Sequence, residues 1–202
     1  MIKLFLKAKH WQLFLIQVGL PFLSQLIFMA VIFTQIFNQS NGKPEVLPSG
    51  FVAILIPAFV SIVGLFGWMY AVGVGLQEKL PSSVPMRVVV FKFCTIFPLV
   101  YFLCFFIFFL NIWWMIDTQA EPPIFPFIMI IPLQLISIFC IGYSMWFMAK
   151  TLKSVELQRE ATLSEYAGDF ALAWFYFIGV WILQPRINKI VAEGWEPESL
   201  NQ

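Results

Sequence analysis

Charge is scarce in this chain. Asp, Glu, Lys and Arg make up 11% of its 202 residues, where a soluble globular domain carries about 25%. Histidine is scarcer: His10 is the sole example, which excludes paired haem ligands and a His-rich metal site. The three cysteines, Cys94, Cys104 and Cys140, form no CxxC pair and no zinc spacing, and all fall in apolar stretches where they should pack as small side chains. There is no HExxH, no GxSxG, no P-loop and no Gly-rich dinucleotide fingerprint. Nor is there a basic run of the kind that tracks nucleic acid. The expectation is a protein that is not an enzyme, holds no metal or cofactor and binds no nucleic acid.

What is present is hydrophobic. Sixty per cent of residues are apolar, 18% are aromatic and the mean hydropathy is +0.85. This composition predicts an all-α, polytopic integral membrane helical bundle. Residues 1–149 hold four apolar runs, Trp11 to Phe37, Phe51 to Leu76, Val88 to Ile116 and Phe125 to Ala149, within which Lys92 is the only charged residue. Each is long enough to span a bilayer with some tilt. The segments between them, NQSNGKPEVLPSG, QEKLPSSVPMR and DTQAEPP, carry turn chemistry, so consecutive helices should be antiparallel neighbours.

Lys and Arg fix the expected orientation. Lys3, Lys7, Lys9, Lys79, Arg87, Lys92, Lys150, Lys153 and Arg159 fall on one side, against Lys43 on the other. The asymmetry predicts a cytoplasmic N-terminus in a bacterial inner membrane or its equivalent. Trp11 and Trp146 mark the inner interface, and Trp113 with Trp114 the outer one. Lys92 is read as an anchor that snorkels to the headgroups, and His10 as an interfacial polar residue.

The segment FALAWFYFIGVWILQ, residues 170–184, is as apolar as the spans but shorter. Fifteen helical residues reach about 22 Å, short of the roughly 30 Å of hydrocarbon. A full crossing would also export Arg186 and Lys189 against the charge bias. A short fifth membrane-embedded helix is therefore expected, re-entrant, tilted or packed between the others, with a cytoplasmic C-terminus. Its Phe170, Trp174, Phe177 and Trp181 form an aromatic stripe suited to interfacial anchoring. Residues 150–169 read as a cytoplasmic extension of the fourth helix that ends at Gly168, with Glu156 placed to pair with Arg159. Residues 185–202 read as a polar tail, poorly ordered toward its end. A formal glycosylation sequon occurs at Asn38.

Pro57 and Gly67 recur at the same separation as Pro132 and Gly142, and Pro21 matches Pro98. Tandem duplication of hairpins 1–80 and 85–152 would give this pattern, and so would the general frequency of proline in membrane helices.

Three groups of residues are candidate sites. On the second span Gly67, Ala71 and Gly75 form a double small-xxx-small stripe, a helix-packing signal that places this helix centrally or at a subunit interface. Polar side chains share faces on the other spans: Gln17, Ser24 and Gln35, with Gln25 beside them, on the first; Tyr101, Cys104 and Asn111 on the third; Gln134, Ser137 and Ser144 on the fourth. These faces should turn inward and meet in a polar seam. No Asp, Glu, His or Arg sits mid-span, so the sequence carries no evident proton relay or voltage sensor. The third group is a cytoplasmic polar cluster of Arg159, Glu160, Glu165 and Asp169 before the fifth segment, and Gln184, Arg186, Asn188 and Lys189 after it. Arg186 could fold back onto Glu165 and Asp169 as a clamp, or the cluster could dock a partner or a lipid headgroup.

The leading functional expectation is a noncatalytic subunit or accessory factor of a membrane assembly, with the lipid bilayer and a second copy or another membrane protein as partners. A pore or small-solute transporter lined by the seam is the alternative. An intramembrane lipid-modifying enzyme ranks last, because no span offers a base that would activate Tyr101 or a serine.

Overall fold

The computed structural model describes residues 2–37, 47–117 and 124–192, and every element among them is helical. The Asn38 sequon, the tail beyond Ala192 and the side chains of Gln35, Trp113 and Trp114 lie outside the described residues. Among the described residues, four helices are long and apolar enough to cross a membrane: His10–Thr34, Ile54–Lys79, Val88–Ile112 and Phe127–Leu157. They coincide with the four apolar runs.

The chain opens with a short helix, α1 (Ile2–Lys7), which stops at Ala8 and Lys9. Helix α2 (His10–Phe14) restarts beyond that break, where the Gln12 amide oxygen accepts the Lys9 N–H at 3.0 Å. A π-helical turn (Leu15–Gly19) leads into α3 (Leu20–Phe37). The turn falls just before Pro21, which has no N–H to donate. The carbonyl four residues back, at Gln17, instead receives the Ser61 hydroxyl at 2.5 Å. A backbone group left over by proline is thus satisfied by a neighbouring helix.

Helix α4 (Leu47–Gly75) is the centre of the bundle and packs against α1, α3, α5 (Val88–Asp117) and α6 (Ile124–Leu157). Its glycines make room for specific side chains. Gly64 faces Gln17; a Cβ at Gly67 would lie 2.8 Å from Phe5, and one at Gly75 2.6 Å from Ile2; Gly73 seats Phe91. The small-residue stripe is therefore filled by this chain's own α1, and Ala71 is buried within it. Gly67 and Gly142 have unlike surroundings, since nothing lies within 4 Å of a Cβ at Gly142. The packing thus lends no support to a duplication.

Helix α6 continues past its apolar run but ends at Leu157, not at Gly168. Gln158 takes the left-handed conformation, with φ 51°, and its side-chain amide donates to Val155 O at 2.8 Å and to Lys79 O at 3.3 Å. This caps the helix C-terminus and ties it to the helical turn that follows α4. A new helix, α7 (Leu163–Trp174), starts after Thr162, whose N–H donates to Glu165 at 2.7 Å. Gly168 lies inside α7.

Residues 170–184 do not form one helix. The chain breaks at Phe175 (φ −91°, ψ 59°) and α8 (Tyr176–Ala192) follows at once. The expected aromatic stripe is split by the break, yet Trp174, Phe177 and Trp181 are all exposed. Helix α8 begins where Tyr176 meets the edge of Trp68 at 5.2 Å and ends where Lys79 Nζ donates to Ile190 O. The segment therefore leaves and returns at the same end of the bundle, the end that holds the basic residues. Gly179 makes the reversal possible, because a Cβ there would overlap the Leu172 carbonyl.

The core is concentrated at this basic end. Tyr176, Val180, Leu183, Ile187 and Ile190 repeat at alternating spacings of four and three along α8, and they pack with Trp68, Met69 and Val72 of α4, with Leu76 just beyond it, and with Met148, Leu152 and Val155 of α6. This is the spacing of a coiled-coil seam. Substituting Gly179→Ala should lower stability by about 3 kcal/mol or more, since a backbone carbonyl cannot give way. Gly168→Ala, in a helix interior with nothing within 4 Å, should instead raise it by roughly 0.5–1 kcal/mol. Thermal unfolding of both variants in detergent tests the contrast.

Candidate functional site

Helix α8 carries two polar groups that face different neighbours. Gln184 is fully buried. Its Oε1 accepts the Trp68 indole N–H at 2.7 Å, and the two hydrogens of its Nε2 are shared among Phe5 O at 3.0 Å, Ala8 O at 2.9 Å and Asn188 Oδ1 at 3.0 Å. Asn188, one turn on, donates to Ala8 O at 3.1 Å. Phe5 and Ala8 bound the break between α1 and α2, where carbonyls lose their helical partners. Two amides on α8 thus cap α1.

Arg186 faces the other way. It donates to both oxygens of Asp169 on α7 at 2.6 and 2.9 Å, and to both oxygens of Glu156 on α6 at 2.7 and 2.6 Å. Asp169 is buried, while Arg186 and Glu156 are partly wetted. Burial acts against the Arg186 charge, but the hydrogen bonds and charges of the two carboxylates hold its pKa above the ordinary value. Bidentate pairing on both sides uses the fork geometry of the guanidinium.

The rest of the predicted cluster separates from this clamp. Glu165 pairs with Arg159, at 2.5 Å to Oε1, and so does not join Asp169 on Arg186. Glu156 pairs with Arg186 and with Lys153, not with Arg159. Glu160 pairs with Lys150 at 2.7 Å, and Lys189 is exposed on α8. His10 lies against Trp181, with ring centroids 4.7 Å apart.

The polar seam does not come together. Helix α3 packs on α4, while α5 and α6 pack on each other and on α4. Gln17 is buried against Gly64, and neither of its amide atoms has a hydrogen-bond partner among the described residues. Ser24 donates to Pro21 O of its own helix at 2.8 Å, and Asn111 to Ile107 O of its own at 2.7 Å. Gln25, Cys104 and Asn111 are exposed, and Gln134 is half-buried. Between α5 and α6, Ser144 meets Thr95 at 3.2 Å, and the buried hydroxyls of Tyr101 and Ser137 have no hydrogen-bond partner among the described residues. Helical periodicity groups residues by face, but Tyr101 is buried while Cys104 and Asn111 are exposed, so tertiary packing decides which of them meet.

Two participants, Trp68 and Ser154, carry no signal in the sequence, and a third, Glu156, is assigned another partner there. Trp68 carries no positional signal beyond its place beside Gly67. Ser154, whose Oγ accepts the Ala161 N–H at 3.1 Å, lies in what reads as a solvated stalk. Glu156 was read toward the wrong arginine, because its partner lies thirty residues away. Among the described residues no group of three or more His, Cys, Asp or Glu could hold a metal ion.

Replacing Gln184 with Leu strands the Trp68 indole, while Phe5 O keeps the Ala8 N–H and Ala8 O keeps Asn188, and should cost roughly 1–3 kcal/mol. In a double-mutant cycle with Trp68→Phe the coupling should be about 1 kcal/mol, measured by unfolding in detergent. The Glu165 carboxyl is lowered from 4.5 to about 2, by the hydrogen bond from Arg159 first and then by those from Thr162. The folded-state value is the lower one, so its contribution is complete above about 4.5 and is lost as pH falls toward about 2. Amide shifts at Thr162 and Glu165 in micelles should titrate near the lower value, and Glu165→Gln should abolish the transition. Compared with protein-family models, with curated proteins and with solved structures, the chain matches none.

Proposed function

We propose that this chain is a noncatalytic, multi-pass membrane protein that works as a subunit or accessory factor of a membrane assembly, with its basic end and both termini in the cytoplasm. What carries the reading is Gln25. It projects from the exposed face of α3, in a span of which only 6% is buried within the chain, compared with 28% for the span of α4. A primary amide facing lipid mid-span is unfavourable, and a helix of another polypeptide would satisfy it. Asn111 is likewise exposed on α5. The small-residue stripe of α4 is occupied by α1, so the face open for assembly is that of α3. The orientation follows from the basic residues gathered at the end where α1, α6 and α8 meet. A pore would need Gln25, Asn111 and Gln134 around one path, and their dispersal gives that reading no support.

Crosslinking of the full chain in native membranes should yield a species larger than the monomer. Gln25→Leu should reduce its yield by roughly 3- to 10-fold, the range of one interhelical hydrogen bond in a membrane. Monomers alone in the wild type would remove the assembly role, and an unchanged yield in the variant would remove α3 as the contact.

A further inference from the structure

Where α5 begins beside the basic end of α6, Arg87 and Val90 face Tyr143, Trp146 and Lys150 across a cavity of about 330 Å³. We propose that this cavity binds the phosphodiester headgroup of an anionic phospholipid between Arg87 and Lys150. It depends on the helices lying in a bilayer, and not on what the chain assembles with.

Charge argues for an anion and for its valence. Arg87 has no carboxylate within 4 Å among the described residues, whereas Lys150 is paired with Glu160 at 2.7 Å. Arg87, Lys150 and Glu160 together leave one positive charge, which matches the single negative charge of a phosphodiester. Glu160 is half exposed and swings free of Lys150 at little cost, so the ammonium is available to a second anion. The Lys150 ammonium also sits 5.7 Å from the Trp146 ring centroid, and the indole N–H is fixed by Tyr166 at 2.8 Å, so this wall of the cavity is held in place.

Position argues for a lipid. The apolar span of α5 begins at Val88, and on α6 the apolar run gives way to polar sequence at Lys150. The cavity therefore lies at headgroup level, with Tyr143 and Trp146 as the amphipathic rings expected there. On α5, next to Val90 in the chain, Val89 and Phe93 are both largely exposed, so that part of the helix offers apolar surface for acyl chains.

The test uses the full chain in a neutral detergent, titrated with short-chain phosphatidylglycerol and, separately, with phosphatidylcholine, reading thermal stability and the number of lipids retained in native mass spectra. Phosphatidylglycerol should stabilise the wild type and phosphatidylcholine should not. Arg87→Gln, at an exposed position that leaves the fold intact, should weaken the apparent affinity about 5-fold, and adding Lys150→Gln should weaken it by about as much again. Lys189→Gln, which removes an exposed charge elsewhere, should leave it unchanged. Equal effects of the two lipids, or an unaltered affinity in Arg87→Gln, would overturn the assignment. Stabilisation reproduced by glycerol phosphate or inorganic phosphate without acyl chains would replace the lipid with a free phosphate.

Discussion

The arrangement of the basic end depends on one primary amide. A buried Gln can accept and donate at once, and Gln184 accepts from the Trp68 indole while donating to the two carbonyls that bound the break in the N-terminal helix. These contacts close a ring. Gly67 seats the Phe5 ring, the Phe5 carbonyl receives Gln184, and Gln184 receives Trp68, the residue next to Gly67. None of the four can shift without stranding a polar group or opening a void, and in surroundings of low dielectric either change is costly. The break at Ala8 and Lys9, which would be a defect in an isolated helix, is what offers Gln184 its acceptors.

In the bilayer that the composition implies, such a lock has a physical reason. Lipid chains are as apolar as leucine, so burial of apolar side chains gives little drive for helices to associate within a bilayer. The spans behave accordingly: most large apolar side chains of α3 and of the far halves of α5 and α6 are exposed, while the fully buried ones gather near Trp68, Met148, Leu152, Leu183 and Ile187. Close packing at glycines, polar contacts and the Arg186 clamp together do at the basic end what the hydrophobic effect does in a soluble core. The clamp also gives α7 and α8 a fixed relation to α6, because one guanidinium spans Glu156 and Asp169.

Much of this was legible in the residues. Span positions and the concentration of basic residues at one end follow from length and composition alone. The shortness of residues 170–184 sets them apart from the four long apolar helices, and the structure divides them between α7 and α8. The break at Phe175 was not legible, because neither glycine nor proline stands there. Its signal is Gly179, four residues on, and it becomes meaningful only once the Leu172 carbonyl is seen against it. Gly168 looked like a helix stop, yet Thr162 and Glu165 supply a start three residues apart that outweighs it locally. The alternating four-and-three spacing from Tyr176 to Ile190 was also present in the sequence, but the louder aromatic stripe on the opposite face obscured it. In the candidate seam, periodicity defined faces without their partners, and Gln17 turned toward α4 because Gly64 left room for it.

The charges at the basic end divide into two populations with different consequences. Arg186 is held by two carboxylates, each through two hydrogen bonds, so its donors are consumed by the fold and it has little left for a ligand. Arg159 and Glu165 neutralise each other at the surface, where solvent screens whatever field remains. Arg87 differs from both, for it lies at the edge of a cavity with aromatic walls and, among the described residues, has no carboxylate within 4 Å. A cation left uncompensated where apolar and polar sequence meet has its field focused by the low-dielectric wall beside it. The region of the molecule able to attract an anion is thus displaced from the dense polar cluster that the sequence advertises. It lies between α5 and α6, where the sequence shows only a lone arginine ahead of an apolar run.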